Sequence, residues 1–278
     1  MSDKSKKEDY TIYPLLRDPD AQEYQEVGEN LLKPPFVYGL IGTRFVGKTN
    51  LMMTMVMRGF PFYLGAFDRI ILISGTMKFD SSTRALVDYI GEENCFDTYS
   101  DGIIQALVEH NKALPKQLRE KILIIGDDLP ALNLSMNAEI YKGTAYMRHL
   151  GISLILITQI LRGVGQGLPP IVRNQLEGVI IFRNSNQKQL NNIFEEMGHF
   201  GSTENIETMY NDVVRGIPYN FLYLNSRSLK CYKNFDEEIW SMYDSAGNYN
   251  PPYVEFKNKN KKKSLLENGS TSSEIIPK

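Results

Sequence analysis

One octapeptide constrains this chain more than any other feature: Gly42-Thr-Arg-Phe-Val-Gly-Lys-Thr49, directly after the apolar run Phe36–Gly42 and directly before a stretch of helix formers. It fits G-x-x-x-x-G-K-[ST]. The spacing has a physical reason. Gly42 and Gly47 let the backbone wrap so that successive N–H groups point inward at an anion, and the following helix presents its positive N-terminal end to the same place. Lys48 adds a mobile ammonium that reaches terminal phosphates, and the Thr49 hydroxyl is placed to ligate Mg²⁺. The strand-then-helix context separates this from a chance match in an ordinary strand–helix turn. The whole segment, Gly42, Thr43, Arg44, Phe45, Val46, Gly47, Lys48 and Thr49, is therefore expected to cradle the phosphates of ATP.

The rest of the chain supplies a frame for such a loop. The runs at 36–42, 68–74, 121–129, 152–159 and 178–183 read as strands. Several are continuously apolar rather than alternating, which belongs to parallel strands covered on both faces by helices. Helices are expected at 48–58, 137–150 and 186–197, with mixed helices and loops over 75–120. The runs 219–225 and 230–235 read as a closing C-terminal hairpin. The expected fold is α/β: a P-loop NTPase of the ASCE type, with a mostly parallel central sheet. Its domain spans 34–256. Residues 1–33 read as a polar N-terminal arm. The Lys- and Ser-rich stretch 257–278, with Lys257, Lys259, Lys261, Lys262 and Lys263, reads as a disordered tail suited to contacting DNA, serving as a targeting signal, or simply staying solvated.

Two acids stand where such a fold does its chemistry. Asp127 and Asp128 end the run Ile-Leu-Ile-Ile-Gly, at the carboxyl end of a buried strand, where ligands gather in open α/β sheets. Asp127 is assigned to the Mg²⁺ shell and Asp128 to activating the attacking water. Gln159 ends the next apolar strand and can sense the terminal phosphate or hold that water. It also marks a strand inserted between the loop's strand and the acidic strand. Arg148, Arg162, Arg173 and Arg183 are candidates for a charge-stabilising arginine, and the residues alone do not choose among them. Arg162, with Gly163, Gly165 and Gly167, makes a loop able to follow a phosphate backbone.

Composition removes some classes. The formal net charge is -2 over 278 residues, so contact with a polyanion must come from local patches. Two cysteines, Cys95 and Cys231, make neither a disulfide framework nor a zinc spacing. The polar start lacks a secretory apolar stretch, and no run approaches the roughly 20 apolar residues that span a bilayer. A soluble, non-secreted protein is expected, with no membrane insertion. A GTPase would carry an N-K-x-D segment after a strand, and none is present. A nucleotide kinase would need an arginine-rich lid, and 160–175 supplies two arginines without a clear lid helix. A catalytically dead scaffold sits poorly with intact Lys48, Thr49, Asp127 and Asp128.

The order of these motifs is itself distinctive: GTRFVGKT, then IIGDD, then MRHLGIS leading into LILITQ, then PPIVRNQ. In that order, over about residues 34–235, the chain resembles the genome-packaging ATPases of poxviruses, other large DNA viruses and virophages, within the FtsK–HerA superfamily. The resemblance implies an ATP-driven homo-oligomeric ring that moves double-stranded DNA into a preformed capsid, with a capsid vertex protein as a possible partner, in the host-cell cytoplasm, a viral factory or the virion. It implies that Gln159 is a sensor and that Arg148 or Arg173 is a finger acting on a neighbouring subunit. A DNA helicase or translocase unconnected with packaging is the alternative. Thr43, Arg44, Phe45 and Val46 are bulkier than the residues common at those positions.

Overall fold

A computed structural model describes residues 22–77, 83–132, 134–163 and 167–258. In chain order the elements are β1 (Val37–Ile41), α1 (Lys48–Met57), β2 (Arg69–Ser74), α2 (Arg84–Ile90), β3 (Cys95–Phe96), α3 (Asp101–Ala113), β4 (Ile122–Asp127), α4 (Glu139–Gly143), β5 (Ile152–Thr158), α5 (Pro170–Arg173), β6 (Gly178–Phe182), α6 (Gln187–Glu196), α7 (Thr203–Val214), β7 (Phe221–Asn225), β8 (Lys230–Lys233) and β9 (Glu237–Ser241). The strands form one sheet in the order β3-β2-β4-β5-β1-β6-β7-β8-β9. It is parallel from β3 to β6, and β7, β8 and β9 each add antiparallel.

The apolar strands are buried on both faces, as their composition requires. On β4, Ile122 and Ile124 enter one core while Leu123 and Ile125 enter the other. On β5, Ile152, Leu154 and Leu156 divide in the same way from Ile155 and Ile157. Helix α1 covers one face through Met52, Met55 and Val56. Helices α3, α6 and α7 cover the other through Ile104, Leu107, Ile193, Phe194, Met209 and Val213. Each such side chain contributes about 1.5–3 kcal/mol when fully buried. The core therefore fixes the register of the strands, and with it the positions of the loops at their carboxyl ends.

Beyond adding α5 and the 12-residue α7 where no element was expected, the structure departs from the sequence expectations in three places. The helix expected over 137–150 is broken. It is α4 followed by a separate 3₁₀ turn at Met147–Leu150, and the Thr144 hydroxyl donates to the Tyr141 carbonyl at 2.7 Å, a local bond that competes with the helical ladder. The closing hairpin has a third strand, β9. Its Glu237-Glu238 start disfavours a strand by composition, but both acids pair across the ladder, with Lys233 and Lys230 respectively, at 2.7 Å each. Charged pairs on an outermost strand also discourage sheet-to-sheet association.

The third departure concerns residues 22–33, which are not a free polar arm. Val27, Leu31 and Leu32 are buried against Phe36, Tyr38 and Tyr63. The Leu32 N–H donates to the Tyr38 hydroxyl at 3.0 Å, and the Tyr63 hydroxyl donates to the Leu32 carbonyl at 2.7 Å. Arg227 closes the segment from the far side, donating to the Lys33 carbonyl at 2.6 Å and pairing with Glu177 at 2.8 Å. Residues 1–21 and 259–278, which carry the rest of the arm and nearly all of the lysine-rich tail, lie outside the described residues. Within the described residues Lys257 pairs with Asp212, and no helix is long and apolar enough to cross a membrane.

Burial raises the ionisation of several phenols in this frame. Tyr141 is pushed up to about 12 by desolvation, and Tyr24 to about 12 by desolvation reinforced by the nearby Asp68 carboxylate. Tyr38 and Tyr63 are also raised, again by burial first. A phenol ionises near about 10 in an unfolded chain. The unfolded state therefore releases protons first, so this share of the stability is fully present below about pH 10 and is lost as pH rises through the folded values. In an alkaline titration, phenolate absorbance from these residues is expected to appear together with loss of helical circular dichroism. Ionisation of Tyr24, Tyr38, Tyr63 and Tyr141 near pH 10 in a still-folded protein would contradict the burial.

Candidate nucleotide site

The loop between β1 and α1 is pinned from both sides. The Gly42 N–H donates to the Thr158 carbonyl at 3.3 Å, at the end of β5, and the Thr43 N–H donates to the Arg183 carbonyl at 3.4 Å, just beyond β6. Both glycines are forced. A Cβ on Gly42 would stand 2.7 Å from the Phe182 Cβ and 3.1 Å from a Val46 methyl. Gly47 has φ 96 and ψ 11, the left-handed conformation that turns the loop into the first residue of α1.

Lys48 opens α1 and folds back over its own loop. Its Nζ donates to the Gly42 carbonyl at 2.8 Å and to the Thr43 carbonyl at 2.6 Å. Burial lowers its pKa; the Asp127 and Asp128 carboxylates oppose that shift and Arg44 adds to it. The ammonium thus sits between its carbonyl partners and the two acids, and two of its three donors are occupied by bonds that an arriving anion can replace.

The acids face the loop across β5. This strand lies between β1 and β4, so the loop and the acidic strand end are two strand spacings, about 10 Å, apart. Asp127 is the last residue of β4, 5% exposed, and its carboxylate accepts the Asp128 N–H at 2.9 Å. Asp128 has φ 47, a left-handed position that Asp tolerates better than most residues, and it turns the chain away from the strand. Its carboxylate accepts from Gln159 Nε2 at 3.3 Å. Residues 44–50, Asp127, Asp128, Gln159, Thr76 and Tyr219 together border one cleft of about 600 Å³. Among the described residues no cluster of three His, Cys, Asp or Glu side chains could hold a metal. Thr49 and Asp127 offer a divalent ion oxygen donors only in combination with oxygens from a ligand, as expected for Mg²⁺ held partly by phosphates.

Arg44 borders this cleft on the loop itself, but the four candidate arginines do not. Arg148 precedes β5 and so stands at the opposite end of that strand from Gln159. It is exposed and lines a separate cleft with Lys116, Arg119 and His149. Arg173 is held within its own chain: its Nε meets Glu196 at 2.8 Å and its Nη1 donates to the Leu168 carbonyl at 2.6 Å, leaving the side chain 13% exposed. Arg162 is exposed and 3.4 Å from Glu195; Gly165, in the same loop, lies outside the described residues. Arg183 acts on the phosphate loop through its backbone carbonyl, which also accepts from the Thr43 hydroxyl at 3.2 Å.

Besides Ile157 and Thr158 at the end of β5, three residues on the cleft were not evident from the sequence: Asn50, Thr76 and Tyr219. Asn50 had a usable signal, being one residue beyond the motif. Thr76 follows β2, a parallel neighbour of β4, so the carboxyl end of that strand also pointed here. Tyr219 arrives only through topology. β7 runs antiparallel to β6 with Phe221 opposite Phe182, and this returns the preceding loop to the phosphate edge.

No family model matches the chain, and no curated protein does. Solved structures with the same architecture include the genome-packaging NTPase B204 of Sulfolobus turreted icosahedral virus 2. Its complex with AMP superposes with a TM-score of 0.51 at 19% identity, covering 73% of this chain and 98% of that one. Its complex with sulfate gives 0.50 at 20% identity, over 73% and 96%. At this identity the likeness is one of fold, and the fold is that of the P-loop NTPases.

Gly47→Ala combines a left-handed backbone with a methyl 3.2 Å from the Tyr219 ring. It is expected to lower stability by about 1–2 kcal/mol in denaturant titration. An unchanged midpoint would mean that the loop adopts another conformation.

Proposed function

We propose that the chain is an ATP-hydrolysing motor that works as a homo-oligomeric ring and moves double-stranded DNA into a preformed capsid. The observation that carries the chemical part is the convergence of Arg44–Thr49, Asp127, Asp128 and Gln159 on one cleft at the carboxyl edge of a parallel sheet. The fold likeness to B204, itself a genome-packaging NTPase solved with AMP, supports the biological part.

The residues present fit a nucleotide with Mg²⁺. The loop has glycine where a Cβ has no room and where the backbone is left-handed, and a cation already lies across it. Thr49 and Asp127 would hold the ion, which supplies charge neutralisation on the phosphate oxygens. Lys48 exchanges its two carbonyl partners for phosphate oxygens and remains fixed by the first turn of α1. Asp128 takes the proton of the attacking water, and Gln159, already bonded to that carboxylate, orients it.

Charge growing on the terminal phosphoryl group calls for an arginine, and among the described residues the one that borders the cleft is Arg44, on the loop itself. Arg148, exposed and remote from its own cleft, suits delivery to a neighbouring subunit better than Arg173, which Glu196 retains. With net charge -2, duplex DNA would be held by local basic patches, such as the Lys116–Arg119–Arg148–His149 surface, and the contact would weaken steeply with salt.

The test is ATP turnover with and without duplex DNA at low salt, alongside solution mass. Duplex DNA is expected to stimulate turnover in a species several times the 31.8 kDa chain mass. Lys48→Ala is expected to reduce turnover by about a hundredfold or more. Asp128→Asn should retain nucleotide binding and lose turnover. Turnover unaffected by Lys48→Ala would remove the site. Turnover indifferent to DNA in a monomer would remove the motor and leave an NTPase of another kind.

A further inference from the structure

The phosphate chemistry leaves one wall of the cleft unused, and that wall is aromatic. Tyr219 lies between α7 and β7, is 69% exposed, and has φ 71, a conformation unfavourable for a bulky side chain. The loop is fastened immediately behind it. Asn220 donates to the Val213 carbonyl at 3.2 Å and accepts from Asn234 at 3.4 Å, and the Phe221 N–H donates to Asn234 Oδ1 at 3.3 Å. These bonds hold the tyrosine against the phosphate loop, where a Cβ on Gly47 would lie 3.2 Å from its Cδ1. A second ring, Phe45, stands on the loop itself, 96% exposed with φ 61. Two bare aromatics in left-handed backbone thus border the same cleft. Neither contributes to the core, and both backbones are held in a conformation that needs a reason.

A nucleotide whose phosphates occupy residues 42–49 must carry its ribose and base out along the flank of that loop. We infer that Tyr219 is the platform on which the base stacks, with Phe45 as the second aromatic surface bordering it, and that the pair selects purine over pyrimidine nucleotides by stacking area. Stacking on a ring face reads the size of a base more than its hydrogen-bonding edge. The fixed backbone limits the entropy lost when the base arrives. This inference rests on the nucleotide reading of the cleft.

The experiment measures binding of Mg·ATP, Mg·CTP and inorganic tripolyphosphate to the full chain and its variants by calorimetry. Tyr219→Ala is expected to raise the Kd for ATP about tenfold, to narrow the preference for ATP over CTP, and to leave tripolyphosphate binding unchanged. Tyr219→Phe is expected to bind all three like the parent chain. Unchanged ATP affinity in Tyr219→Ala would overturn the inference. So would equal weakening of ATP and tripolyphosphate, since the ring would then serve only to support Gly47. Lys48→Ala separates the two levels of argument: it should weaken ATP and tripolyphosphate together, and if it weakens neither, the phosphate cradle is wrong rather than the stacking platform.

Discussion

Everything at the cleft depends on the spacing imposed by β5. A strand placed between β1 and β4 keeps the phosphate loop and the acid pair close enough to act on one ligand. The Lys48 ammonium donates to the Gly42 and Thr43 carbonyls while feeling both acids. β5 is buried along its whole length, so its position is set by packing on both faces rather than by the polar groups it separates. Its last residues then serve both sides: the Thr158 carbonyl anchors Gly42, and Gln159, just beyond, bonds Asp128.

The arrangement was largely legible in the sequence because it is built from local signals. Continuous apolar runs gave the parallel strands, and the motif 42–49 gave the loop with its following helix. The polar ends of 121–129 and 152–159 gave Asp127, Asp128 and Gln159, and the insertion of the fourth strand between the first and third was anticipated from Gln159. These inferences survive because a buried parallel strand can expose polar groups only at its ends.

What was not legible depended on contacts distant in sequence. Residues 22–33 look polar on average, yet their three apolar side chains are claimed by Tyr38 and Tyr63, and Arg227, about two hundred residues away, fastens the following chain. β9 is hidden by two glutamates that become acceptable through their pairing with Lys230 and Lys233 on β8. Arg173 resembles a reactive cation in sequence, and only the fold reveals Glu196 beside it. Tyr219 comes to the cleft through the antiparallel return of β7, a topological fact with no local signature.

The most direct measurement of the central claim is backbone hydrogen–deuterium exchange with and without Mg·ATP. If the inward-turned amides of the loop hold the phosphates, protection on binding concentrates in peptides covering 42–49, with a second protected segment at 127–128 and 159. Protection that spares 42–49, or that falls instead on the cleft around Lys116 and Arg148, would contradict the account.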